Sequence, residues 1–226
     1  MLEILMTGTN PRSGISPGSD TLVYGDTTLG YYGVVSQASF ITGSALAAGI
    51  GLTEGVDYNT DVGWLKFASY GKVLFIPQKS LRHSLSWISI YNCGAVYGVD
   101  GYGRLNPGTP VTQNRTVTIA GRTYRVRLMT GATSDPIGTS GGEWNRLLYP
   151  LINGTWESNS PTSFYGVSSS TDSGSCTLCQ EGGPANATIT STQIVRRGFT
   201  DYTTFGTSVM TTTGNRGWRP VLELIS

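Results

Sequence analysis

Charge is scarce in this chain: Asp, Glu, Lys and Arg together make up 13% of its 226 residues, where a globular domain usually carries about a quarter. The formal net charge of +1 leaves no footprint for a polyanion, which is held by clustered Lys and Arg. Arg122, Arg125 and Arg127 do cluster, but alternation along a strand makes Arg125 and Arg127 one outward, solvated face. Nucleic acid is thus excluded as an expected partner. Long apolar runs are missing too. No segment approaches the roughly 18 apolar residues of a membrane helix, and the start, MLEILMTGTNPRSG, has no apolar core of signal-peptide length. The expectation is a soluble chain, not exported by the usual route and not inserted in a membrane. Cysteine is limited to Cys93, Cys176 and Cys179, an odd and small number that suits a reducing compartment better than a disulfide framework. The sequons at Asn114, Asn153 and Asn186 then read as chance matches.

What the chain does have is glycine, 31 residues of it, with abundant Ser and Thr, the composition of many turns and short strands. Residues 1–29 contain Pro11, Pro17 and the polar run Ser16 to Thr21 without sustained periodicity. They read as an extended arm that orders when it lies on another subunit. From residue 30 to 226 the chain reads as one domain, with the turn-rich Val99 to Pro110 marking a candidate lobe boundary near 99–112.

Within that domain, Tyr32, Val34 and Val35 read as a strand, and Thr42 to Ala48 as a short helix ended by Gly49. Trp64 to Phe67 and Val73 to Ile76 form a hairpin about Tyr70-Gly71, stopped by Pro77. Ser86 starts a second short helix through Trp87, Ile90 and Tyr91. A second hairpin pairs Thr116 to Ile119 with Thr123 to Met129 about Ala120-Gly121. Ser140 and Glu143 make a capping box for an amphipathic helix on which Trp144, Leu147, Leu148 and Leu151 share one face. Asn153 to Thr192 reads as long irregular loops that include Cys176 to Cys179. Gln193 to Phe199 and Trp218 to Leu224 read as closing strands about the polar loop Asp201 to Gly214.

The order of these signals, SGGEWNRLLYPL, then IVRRGF, then NRGWRPVLEL, resembles the C-type-lectin-like fold shared by formylglycine-generating enzymes and phage variable receptor-binding proteins. Glu143-Trp144, Arg197-Gly198 and Gly217-Trp218-Arg219 stand where that family has its Glu-Trp helix, Arg-Gly-Gly strand and closing Gly-Phe-Arg strand. The earlier segments GYYGVV, ITGSALAAGIGLT, GWLKFASYGKVLFIPQKSLRHSLSW and GAVYG are similar to a group of tailed-phage virion proteins ending in the same WRPVLEL strand. Together the resemblances cover roughly residues 30–226. They imply an α+β, β-rich C-type-lectin-like fold with short helices, twisted antiparallel hairpins and long irregular loops. They also imply a virion location after synthesis in the bacterial host cytoplasm.

The enzymes of that family use a cysteine pair after the Arg-Gly-Gly strand, and this chain has no cysteine beyond Cys179, so oxidase chemistry is not carried over. Cys176-x-x-Cys179 is half of a zinc site that Cys93 and His83 could complete, but the spacing between halves is not diagnostic, and no metal or other cofactor is expected. His83 has no nucleophile motif beside it and reads as making a local hydrogen bond at a strand end. Asp57, Asp61, Asp172 and Asp201 show no calcium-loop spacing. Glu143 is accounted for by its cap, and Arg197 and Arg219 by ties from closing strands to loop carbonyls. The candidate ligand-binding residues are the loop aromatics Trp156, Tyr165, Tyr202 and Phe205, since exposed rings stack on sugars and anchor protein partners.

The resulting expectation is a non-enzymatic phage virion protein, a tail or surface component that binds host surface glycan or protein through its loop end. It is expected to be homo-oligomeric, with the N-terminal arm on other virion proteins. The alternative is a purely architectural capsid or tail decoration protein held by that arm; a formylglycine-type or metal-dependent enzyme has only fold analogy behind it.

Overall fold

The structure is a computed structural model; it describes residues 16–104, 109–132, 141–156, 174, 176–182, 192–198 and 201–226. Ser140, Tyr165 and Asp172, and residues 1–15 of the arm, lie outside the described residues. The chain forms a strand-rich α+β fold. Its centre is a seven-stranded sheet. In chain order the strands are β1 (Tyr24–Gly25), β2 (Leu29–Val35), β3 (Val56–Asp57), β4 (Trp64–Ser69), β5 (Lys72–Pro77) and β6 (Arg82–His83). There follow β7 (Thr116–Ile119), β8 (Arg122–Arg127), β9 (Cys176–Gly182), β10 (Gln193–Arg197), β11 (Phe205–Val209), β12 (Arg216–Gly217) and β13 (Val221–Leu224). The large sheet runs β1-β2-β4-β5-β13-β8-β7, and a four-stranded sheet runs β11-β10-β9-β12. β3 and β6 make a small ribbon tied to the second sheet by an Arg82–Trp218 bridge.

Both hairpins form where the sequence places them. Tyr70 (φ 49°) and Gly71 (φ 78°), and Ala120 (φ 48°) and Gly121 (φ 75°), take positive φ at both turn positions. Such turns match the twist of the flanking strands. Helix α1 (Gly43–Ile50) is capped by the Thr42 hydroxyl, which accepts from Ala45 N–H, and it runs through Gly49 to a left-handed Gly51. The stop lies two residues beyond the expected one, because Gly49 adopts helical geometry and Gly51 supplies the αL cap. Helix α2 (Trp87–Asn92) has Ser86 as its cap.

Strands β4, β5 and β13 send side chains into two different cores, whereas β8 contributes to the first alone. Phe75, Tyr124, Val126 and Leu222 join one cluster, which α1 and α2 cover through Leu46, Ile50, Trp87 and Ile90. Leu65, Phe67, Leu74 and Val221 join the other, which is covered by Trp144, Leu147, Leu148 and Leu151. Burying each of these four is worth ~1.5–3 kcal/mol. They lie on a π-helical turn (Trp144–Leu148) that runs into α3 (Tyr149–Ile152).

Three expectations are corrected. Arg127 does not face solvent; it is 6% exposed, because the helical segment roofs the face on which alternation puts Arg125 and Arg127. Cys176 to Cys179 is no loop but part of β9, a buried strand in the interior of the second sheet. The polar stretch Asp201 to Gly214 contains β11, paired along its length with β10.

Candidate functional site

The scaffold beneath the loops is set by buried charge. The Glu143 carboxylate does not reach back to a capping position. It accepts from Arg127 Nη1 and Nη2 at 2.7 and 2.6 Å and from Thr130 N–H at 3.0 Å, while Glu143 N–H donates to Thr130 Oγ1 at 2.8 Å. Arg127 also donates from Nε to Glu223 at 3.2 Å, and Lys72 pairs with Glu223 at 3.0 Å. Burial works against the charge on Glu143, but Arg127 beside it outweighs this and holds the carboxyl below the usual range. The network thereby pins the start of the helical segment and the Thr130 loop to the middle of the sheet.

Arg197 and Arg219 are tied as expected. Arg197 Nη2 donates to Thr203 O and Asn145 Oδ1, both at 3.1 Å, and Arg219 Nη2 donates to Gln78 O at 2.8 Å over the face of Trp144.

Above this frame opens a cleft of about 580 Å³. It lies between the 97–104 loop, the turns at 130–132 and 141–142, and the end of β9. Glu181, 5% exposed, forms its floor. Its Oε1 accepts from Gly131 N–H at 3.0 Å and Ala132 N–H at 3.3 Å, and its Oε2 from Gly131 N–H at 2.8 Å. No basic side chain lies within ion-pair distance of Glu181 among the described residues. Burial pushes its carboxyl above the usual range, only partly offset by the backbone donors and by the more distant Arg104. Arg104 lines the same cleft from its exposed rim. Gln180 is oriented by a 2.6 Å bond from its amide to Leu128 O.

The backbone here is unusual. Ala132 holds φ 79°, a conformation non-glycine residues rarely adopt. A Cβ on Gly142 would sit 2.6 Å from Thr130 O, and one on Gly131 2.5 Å from Cys179 Sγ. Glycine is therefore required where the two turns abut.

The residues singled out from sequence lie elsewhere. Trp156, Tyr202 and Phe205 are half-buried on the rim of the second core, with Trp156 6.5 Å from Phe67 and Tyr202 5.6 Å from Tyr149 between ring centroids. None of the three lines the cleft. His83 pairs its Nδ1 with Ser84 Oγ at 2.8 Å, the local bond expected of it, and its ring packs edge-on to Tyr58. Cys93, Cys176 and Cys179 are free and buried. The set Cys93, Cys176, Cys179 and His83 is not brought together, and no group of three or more His, Cys, Asp or Glu side chains among the described residues could hold a metal. Burial raises all three thiols, Cys179 most.

Glu181 and Arg104 were missed by the sequence reading. Their only signal was charge where charge is rare: an acid two residues after the Cys176-x-x-Cys179 pair, and a lone arginine in a run of turn formers. Comparison with known proteins finds no matching family, no similar curated protein and no similar solved structure. No helix among the described residues is long and apolar enough to cross a membrane.

Proposed function

We propose that this chain is a tailed-phage virion protein with a C-type-lectin-like domain, exposed on the tail or particle surface, that binds host surface glycan or protein through its loop end. Binding, not catalysis, is its task. The observation that carries this reading is the cleft: an open site whose floor carboxylate and rim guanidinium have no ion-pair partner among the described residues, mounted on a charge-braced frame. Sites that must meet an external ligand leave such groups unmatched, whereas the scaffold pairs its own. The closing strand β13, the buried Glu143-Trp144 segment and the structural arginines Arg197 and Arg219 support the resemblance seen in sequence. The buried, raised thiols and the locally engaged His83 support a role without redox or acid-base chemistry.

Immunogold labelling of intact particles, combined with binding of the purified protein to host cells, tests the proposal. Labelling at the tail or outer surface together with saturable cell binding is the expected result. A position inside the particle, or a surface position without cell binding, favours the architectural reading. That reading has its own support in the strap of residues 16–20, where Lys66 Nζ donates to Ser19 O at 2.7 Å and to Asp20 at 2.9 Å.

A further inference from the structure

The chemistry of the cleft narrows what it takes. A carboxylate offers about four lone-pair directions. On Glu181 much of this capacity is taken by backbone N–H groups, Gly131 bridging both oxygens and Ala132 on Oε1, with the residue's own backbone contributing as well. What remains suits a single hydroxyl donor. An ammonium, with three donors to satisfy, is poorly served there.

Arg104, by contrast, makes no hydrogen bond or ion pair among the described residues. Its planar fork of donors is complementary to a carboxylate in two-point contact. The walls between the two groups are formed by Tyr97, Val99, Ala132 and the glycines Gly103, Gly141 and Gly142. They present C–H and backbone surface, against which a ring with apolar faces lies. A cleft of about 580 Å³ falls in the range of small-ligand sites, ~300–1,000 Å³.

We propose that this cleft binds an acidic sugar unit, one ring hydroxyl donating to Glu181 and the sugar carboxylate pairing with Arg104. The inference deepens the host-surface reading and rests on it for the source of the sugar. Only the site itself is claimed from geometry.

The test is titration of the purified protein with galacturonate, glucuronate and N-acetylneuraminate, against galactose and glucose as neutral partners, followed by calorimetry and by NMR shifts. The expected result is saturable binding of at least one acidic sugar, with a preference over neutral sugars of about tenfold, the worth of one charge-assisted pair. Arg104→Ala should erase that preference while leaving the fold intact, since its side chain is exposed and makes no hydrogen bond or ion pair among the described residues. Glu181→Gln should weaken acidic and neutral sugars alike. Val99→Trp, which adds bulk at a wall residue that is 44% exposed, should block both. Circular dichroism of each variant separates loss of binding from loss of fold.

No binding of any acidic sugar overturns the inference, as does binding that Arg104→Ala and Val99→Trp leave unchanged. Butylamine or glycine binding in place of the sugars overturns it as well. Host-cell binding without sugar binding sinks the site and spares the attachment role. Sugar binding by a protein located inside the particle does the reverse.

Discussion

Glu143 and Glu181 are two buried glutamates that respond to acid in opposite senses. Arg127 holds the Glu143 carboxyl below its ordinary 4.5. Its stabilising contribution is complete above that pH and is lost as the pH falls through the lower, folded value. Glu181 is raised above 4.5 by burial, so it favours the folded state below 4.5, and that contribution is lost as the pH rises through its folded value. Urea unfolding across pH should therefore show Glu143→Gln flattening the acid limb below 4.5, and Glu181→Gln removing the slope above it. At neutral pH Glu143→Gln should cost roughly 1–3 kcal/mol, because it removes a charge-assisted two-point contact and leaves the buried Arg127 guanidinium with Glu223 as its remaining charged partner; a loss well under 1 kcal/mol would show the pair to be dispensable. A second expectation concerns the thiols. With Cys93, Cys176 and Cys179 all buried and shifted up, Ellman's reagent should label none in native protein and all three after unfolding. Fast labelling of any one of them contradicts the burial described. At this scale the sequence was half legible. Arg197, Arg219 and His83 could be assigned from position, whereas Arg127 and Glu143 could not. Strand alternation and a capping pattern describe a residue's own element, and what decided these two was the element lying across from them.

Elements with local punctuation were readable. The two glycine turns, the Thr42 and Ser86 caps and the apolar runs between them each carry their instruction within a few residues. β9 and β11 carry none. CTLCQEG mixes thiols, polar groups and an acid, and it is a strand because β10 and β12 pair with it and both cores close on its faces. The π-helical turn at Trp144 is likewise set from outside, where a widened turn lets Trp144, Leu147 and Leu148 all reach the second core while Trp144 Nε1 donates to Tyr202 O at 2.9 Å. The strap at residues 16–20 has a testable energy. Lys66 is fully buried in the middle of β4 and relies on Ser19 and Asp20. Asp20→Ala should lower stability by roughly 1–3 kcal/mol, and Lys66→Met in the same chain should restore most of it. If the double variant is no better than the single one, the strap contributes by packing alone.

At the scale of the whole molecule, the two cores are not two lobes. Strands on both sides of residues 99–112 lie in one sheet, and neighbouring residues of a single strand, such as Leu74 and Phe75, belong to different clusters. Neither core can melt while the other keeps its sheet. Calorimetry should accordingly give one cooperative transition, and two resolved transitions would contradict the shared sheet. The large sheet also has an order of assembly built into it. β13 lies between β5 and β8 and is hydrogen-bonded to both, although more than ninety residues of chain separate it from either. A nascent chain still short of Val221 thus holds two half-sheets with facing, unsatisfied edges and cannot close them, however long the ribosome pauses. Stalled chains ending before Val221 should be cut readily by protease, and chains carrying Val221 to Leu224 clear of the exit tunnel should resist it. In a crowded cell that interval is when this protein is most exposed to wrong partners, and a chaperone that shields strand edges would act on it then.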